Sequence, residues 1–130
     1  MIEDLIRRRR SIYPKQYNDK PVEKEVIHRL LQVAVLAPTH KRTEPWRFKV
    51  IQGDSRRRIG EFLQEKYLET HSSPKQFKSK KLLEKQIKAG AIIAILMQRD
   101  PQQRLPVWEE IAATSMAVQN MWLTCTELGI

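Results

Sequence analysis

Four consecutive arginines and a serine, Arg7-Arg8-Arg9-Arg10-Ser11, bring a dense group of hydrogen-bond donors close to the amino end. Guanidinium offers planar paired donors with permanent charge, and the hydroxyl adds a neutral donor, so the set suits a phosphate. By charge patterning alone the same run also reads as a solvated helix end, and that is the commoner reading. A second group lies in residues 37–48, the loop Ala-Pro-Thr-His-Lys-Arg-Thr-Glu-Pro-Trp-Arg-Phe. Loops pinned by prolines position functional groups. Here His40 and Lys41 can donate to an anionic ligand edge, while Thr43 and Glu44 can tie the loop to nearby backbone. His40 reads equally as an ordinary surface residue, and Trp46 reads as a core anchor at a strand start.

A third segment, 109–123, is an alanine-rich helix whose Gln119 and Asn120 need polar partners if buried. Satisfying a helix end or a subunit interface suits them better than touching substrate. Glu109 and Glu110 are adjacent, so they do not face each other on a helix and do not make a general acid/base pair. His28, His40 and His71 are too far apart for a local metal motif, and no glycine-rich phosphate loop is present. No nucleophile stands beside a base. No catalytic side chain and no metal ligand is therefore named.

The elements that must carry these groups follow from periodicity. Ile2, Leu5 and Ile6 predict a short first helix with arginines in its last turn, ended by Pro14. A second helix is expected over 22–37, between Pro21 and Pro38, with Val26, Ile27, Leu30, Leu31, Val33 and Ala34 facing a core. Alternation at Trp46, Phe48 and Val50 predicts a strand closed by Gly53-Asp54. A third helix, capped by Asp54 or Ser55, would bury Ile59, Phe62, Leu63 and Tyr67. Residues 69–81 read as a loop leading into a basic helix that ends near Gly90. The apolar run 91–97 suits an interior strand buried on both faces. From Pro106 to about Leu128 a long helix is expected to be buried, with Ile111, Ser115, Val118, Trp122 and Cys125 on one face and Gly129 as its C-cap.

At 130 residues, with 41% hydrophobic and 30% charged residues, the chain has the size and composition of one folded domain spanning 1–130. No apolar run approaches the ~18 residues that would span a bilayer. The amino end lacks an apolar signal segment, and the one cysteine, Cys125, cannot form an internal disulfide; the expected location is the cytoplasm. The net charge of +9 favours anionic partners. Its excess is dispersed over 7–10, 56–58 and 75–88 and alternates with acids, which fits a solvated surface better than a nucleic-acid footprint. Two strands make a thin sheet with open edges, and the apolar last helix is an awkward final element, so the chain reads as cut short.

Taken in order, three segments resemble the nitroreductase family. They are an Arg-Arg-Ser after the first helix (9–11), a Pro-Thr-His-Lys-x-Thr-Glu-Pro-Trp-Arg-Phe loop after the second (38–48), and an Ala-x-Gln-Asn-x-x-Leu helix ending in Leu-Gly. The loop is most like a subgroup carrying His-Lys before Glu-Pro-Trp. Tyr13 stands where many members have a basic residue, and Arg42 and Glu44 replace a common Asn and Gln.

The resemblance implies an α+β fold with a central mixed or antiparallel sheet flanked by helices, incomplete at its C-terminal end. It implies a homodimer holding FMN at the subunit interface, with hydride passing from NAD(P)H to a small-molecule electron acceptor such as a nitroaromatic or quinone. Arg9, Arg10 and Ser11 would contact the flavin and its phosphate from one subunit. His40 would reach the cofactor across the dimer, with Lys41 and Thr43 of the same loop in the cofactor site. No nucleic-acid or membrane partner is implied. Family members continue beyond the position of Gly129 with further flavin contacts, so this chain alone is expected to bind FMN weakly or not at all. The alternatives from other classes are a basic nucleic-acid-binding module and a non-catalytic relative that keeps only the dimer core.

Overall fold

A computed structural model describes residues 1–130. In chain order its elements are α1 (Ile2–Arg8), α2 (Lys24–Ala34), β1 (Trp46–Ile51), α3 (Asp54–Thr70), α4 (Gln76–Lys88), β2 (Ile92–Met97) and α5 (Val107–Leu128), with single 3-10 turns at Pro14–Gln16 and His40–Arg42. The α+β class expected from the sequence is the class observed. The strands form a two-stranded sheet. Its sense is antiparallel, because Gln98 at the end of β2 donates to the carbonyl of Pro45 at the start of β1 (2.8 Å). No helix is long and apolar enough to cross a membrane.

The chain groups into two compact units. The first comprises Met1–Ser11, Glu23–Lys49 and Ile95–Ile130. Its core is Ile27, Leu30 and Ala34 of α2, Ala37, Trp46, Leu105, and Ala113, Ala117 and Met121 of α5. Ala34 and Ala117 have no exposed surface, so small side chains let α2 and α5 come close. Asn120 donates from Nδ2 to the Val33 carbonyl in the last turn of α2 (3.1 Å), which gives the half-buried amide a helix-end partner. Gly129 closes α5 in the left-handed conformation (φ 71°).

The start of α5 is fixed by a charged cluster. Glu110 is 1% exposed; its Oε1 accepts the Asp100 N–H at 2.7 Å, and its Oε2 lies 3.0 Å from Arg99 Nε. Asp100 in turn accepts from Arg104 Nε at 2.8 Å and from the Arg104 N–H at 3.2 Å. Hydrogen bonding from the Arg104 side chain, before any other cause, holds the Asp100 carboxyl down at about 2.

The second unit comprises Ile12–Val22 and Val50–Ala94. Here α3 packs on α4 with Gly60 as the contact: a Cβ at that position would lie 2.8 Å from Leu83 Cδ1 and 3.2 Å from Leu83 Cα. Arg56 of α3 ties down the end of α4, donating to the carbonyls of Ile87 and Ala89.

Several expectations require correction. Helix α4 begins at Gln76, so only a short link follows α3 and most of 69–81 is helical. Its inward face carries Ser79, fully buried, where an amphipathic pattern would show an apolar residue, and this hid the periodicity. On α3 the buried position is Gly60, while Phe62 is 53% exposed. The second helix is shorter than 22–37. In β2, Ile95 and Leu96 are exposed, because a two-stranded sheet leaves little to cover them. On α5 the inward face is Glu110, Ala113, Thr114, Ala117 and Met121, and Ile111, Ser115 and Trp122 point outward.

Two stability predictions follow. Glu110→Ala, which strands a half-buried guanidinium and the Asp100 N–H, is expected to cost about 3 kcal/mol or more in urea unfolding; a loss below ~1 kcal/mol would show the cluster to be dispensable. Because the folded pKa of Asp100 is depressed, its contribution is complete above the ordinary Asp value and disappears as pH falls toward about 2. The stability gap between the parent chain and Asp100→Asn should therefore be constant above about pH 5 and shrink between about pH 4 and pH 2. A gap that stays constant through that window contradicts the Arg104 assignment.

Candidate flavin site

The arginine run leaves α1 at its C-terminal end, where cations suit the helix dipole. Its members do different things. Arg8 pairs with Glu127 of α5 at 3.2 Å. Arg9 lays its guanidinium over the Trp122 ring, 4.4 Å from the centroid, a cation–π contact that orients the fork. Arg10 folds back, donating to the carbonyls of Arg7 (2.5 Å) and Arg9 (2.9 Å). Ser11 is exposed. Neither Arg9 nor Arg10 has a carboxylate within ion-pair distance. Both stay chemically available to an anion.

The loop after α2 is built under strain. Lys41 (φ 52°), Arg42 (φ 50°) and Glu44 (φ 41°) all adopt left-handed backbone, which costs a residue with a side chain on the order of 1 kcal/mol or more. Such a conformation persists only when its surroundings hold it. Pro45 and Trp46 are buried and anchor the C-terminal side, as read for Trp46 from the sequence. Arg47 folds back to the carbonyls of Glu44 (2.9 Å) and Trp46 (2.7 Å). On the other side, His40 Nδ1 lies 2.6 Å from Glu109 Oε2 in the first turn of α5. The result leaves the His40 ring and the Lys41 ammonium on the surface. Thr43 Oγ1 is buried and lacks a hydrogen-bond partner, so its expected role in tying down the loop is not seen.

These six residues fall into two sets. Arg9, Arg10 and Ser11 sit beside the C-terminal part of α5, near Trp122 and Glu127. His40, Lys41 and Thr43 sit by its first turn, at Glu109. Trp122 lies thirteen residues further along the helix than Glu109, a rise of about 20 Å. One copy of the chain thus does not gather its two donor sets around a single point.

Sequence reasoning missed Glu109 and Trp122. Glu109 was weighed only against Glu110, whereas its partner is 69 residues away. Neither contact leaves a local spacing signal. The lone thiol offers no alternative chemistry, since burial pushes Cys125 up and away from a reactive thiolate.

Comparison with known proteins agrees with this architecture. The model of the Nitroreductase family matches residues 6–130, which takes in all six residues. The YfhC protein of Bacillus subtilis, provisionally named an NAD(P)H nitroreductase, is 29% identical over 133 residues, an alignment covering 100% of this chain and 66% of that protein. A nitroreductase-like family protein from Bacillus cereus superposes with a TM-score of 0.84 at 31% identity, covering 99% of this chain and 66% of that one. A structure from Desulfovibrio desulfuricans, solved in complex with FMN, superposes with a TM-score of 0.71 at 26% identity, over 98% of this chain and 63% of that one. The chain thus spans about two thirds of the length of these relatives. With a match running through nearly every element, from the arginine run to the end of α5, the chain belongs to the nitroreductase family.

Proposed function

We propose that this chain forms the greater part of an FMN-dependent oxidoreductase that works as a homodimer and passes hydride from NAD(P)H to nitroaromatic, quinone or similar acceptors. The observation that carries the reading is the separation of the two donor sets along α5. A flavin that needs both must take Arg9, Arg10 and Ser11 from one copy and the His40 loop from another. The FMN named for the Desulfovibrio desulfuricans structure and the NAD(P)H in the provisional name of YfhC support the cofactor and donor.

The residues fit the group. Arg9 and Arg10 have no internal carboxylate, Ser11 is an exposed neutral donor, and the buried Thr43 hydroxyl is left without a partner. Arg9 and Arg10 would hold the phosphate, with Ser11 donating to its oxygen or to the polar ring edge. His40 and Lys41 would donate to the ring from the second copy, and the Lys41 ammonium would favour an anionic ring. Bound FMN supplies the hydride chemistry, and these side chains supply placement and charge. Glu109, by engaging His40 Nδ1, fixes the imidazole and leaves Nε2 to face a ligand.

The outward face of α5 supports the homodimer. Trp108 (67% exposed), Ile111 (50%) and Trp122 lie along one face of α5, with Ile2 and Ile6 of α1 also exposed. Large apolar side chains exposed together on one helix face suit an interface. Light scattering is expected to give about twice the 15.4 kDa chain mass for the parent and the single mass for Ile111→Glu. A monomeric parent removes the shared-site reading.

Flavin fluorescence titration tests the cofactor. The parent chain is expected to bind FMN only weakly, since it spans about two thirds of its relatives, and Arg10→Gln should raise that Kd by about a further 10- to 100-fold, the loss expected for one charge-assisted hydrogen bond. Where flavin is bound, NAD(P)H should bleach its visible absorbance and a nitroaromatic should restore it. Equal affinities in the parent and the variant would remove the arginine run from the site.

A further inference from the structure

In the second unit, the turn at Pro14–Gln16 and the helix α4 enclose an open groove of about 420 Å³. We propose that this groove is a binding site for a phosphate carried on a planar ring, a ligand class typified by a nucleoside monophosphate. The proposal goes beyond the function argued above and does not depend on it.

One wall is flat and apolar. Tyr13 is 63% exposed, and its ring lines the groove beside that of Pro14. The turn beneath them is pinned, because Tyr13 and Gln16 exchange two hydrogen bonds: Gln16 N–H to the Tyr13 carbonyl (2.8 Å) and Tyr13 N–H to Gln16 Oε1 (3.0 Å). An exposed aromatic ring carried on a pinned backbone is a stacking surface.

The other wall is cationic. Lys81, Lys85 and Lys88 follow one another at helical spacing along one face of α4, and Lys15 joins them from the turn. Glu84 is the one acid on the lining, and it pairs with none of the four lysines. Like charges one turn apart destabilise a helix, so such a row needs a reason. The helix dipole accounts for Lys85 and Lys88 in the last turn. It does not account for Lys15 on the opposite wall, and Lys81 a turn earlier has only the Phe77 ring, 5.6 Å from its Nζ, as a local partner. A phosphate in the groove would meet all four, while an attached ring would lie on Tyr13. The cationic wall is also preorganised, since Gly60 on Leu83 and Arg56 on the Ile87 carbonyl fix the far side of α4.

The test is an NMR titration of the full chain with adenosine 5′-monophosphate, adenosine and inorganic phosphate as separate probes. The monophosphate should shift the amides of Tyr13, Lys81 and Lys85 and bind about tenfold more tightly than either adenosine or inorganic phosphate. Lys85→Gln with Lys88→Gln should weaken it about tenfold, and Tyr13→Ala should weaken the monophosphate while leaving inorganic phosphate unchanged. All are exposed surface changes, and an unaltered melting curve confirms the fold. Equal binding of the three probes, or binding indifferent to the lysine pair, overturns the proposal. So does binding that survives the lysine changes and disappears in Arg9→Gln, which would place the phosphate on the arginine run instead.

Discussion

The close approach of α2 to α5 is the constraint on which the rest depends. Alanines at 34, 113 and 117 allow it, and the Asn120 bond to the Val33 carbonyl fixes its register. A larger side chain at any of these positions would push the helices apart, because interiors tolerate little added volume. Once α5 is seated, its two ends become fixed points. The first turn holds the His40 loop through Glu109, and the last turns hold the arginine run through Trp122 and Glu127.

That arrangement explains why the central helix looks inside out. Its buried face carries the polar network at Glu110 and small residues, whereas its largest apolar side chains point outward. A helix that buries only one monomer face would invert this pattern. The outward apolar residues and the separation of the two donor sets are the two features on which the proposed homodimer rests.

The strained loop fits this picture. Three left-handed residues with side chains between His40 and Glu44 are held by a buried Pro-Trp pair at one end and an imidazole–carboxylate contact at the other. Strain of this kind is maintained only where the surroundings over-determine the backbone. It presents His40 and Lys41 outward on a rigid base, which suits contact with something beyond the chain itself.

The amino-acid sequence by itself determined the order and kind of nearly every element, Trp46 as an anchor, Gly129 as a helix stop, and the family resemblance. Those are local signals: periodicity, prolines, capping residues and the chemistry of adjacent side chains. Tertiary structure alone decided which face of α5 turns inward, that Ser79 and Gly60 are contact points, that Glu109 serves His40, and that Arg9 rests on Trp122. Each of these depends on residues distant in the chain meeting in space. Composition favours large apolar residues as core, while close helix packing selects small ones, and no window of sequence reveals which demand prevails.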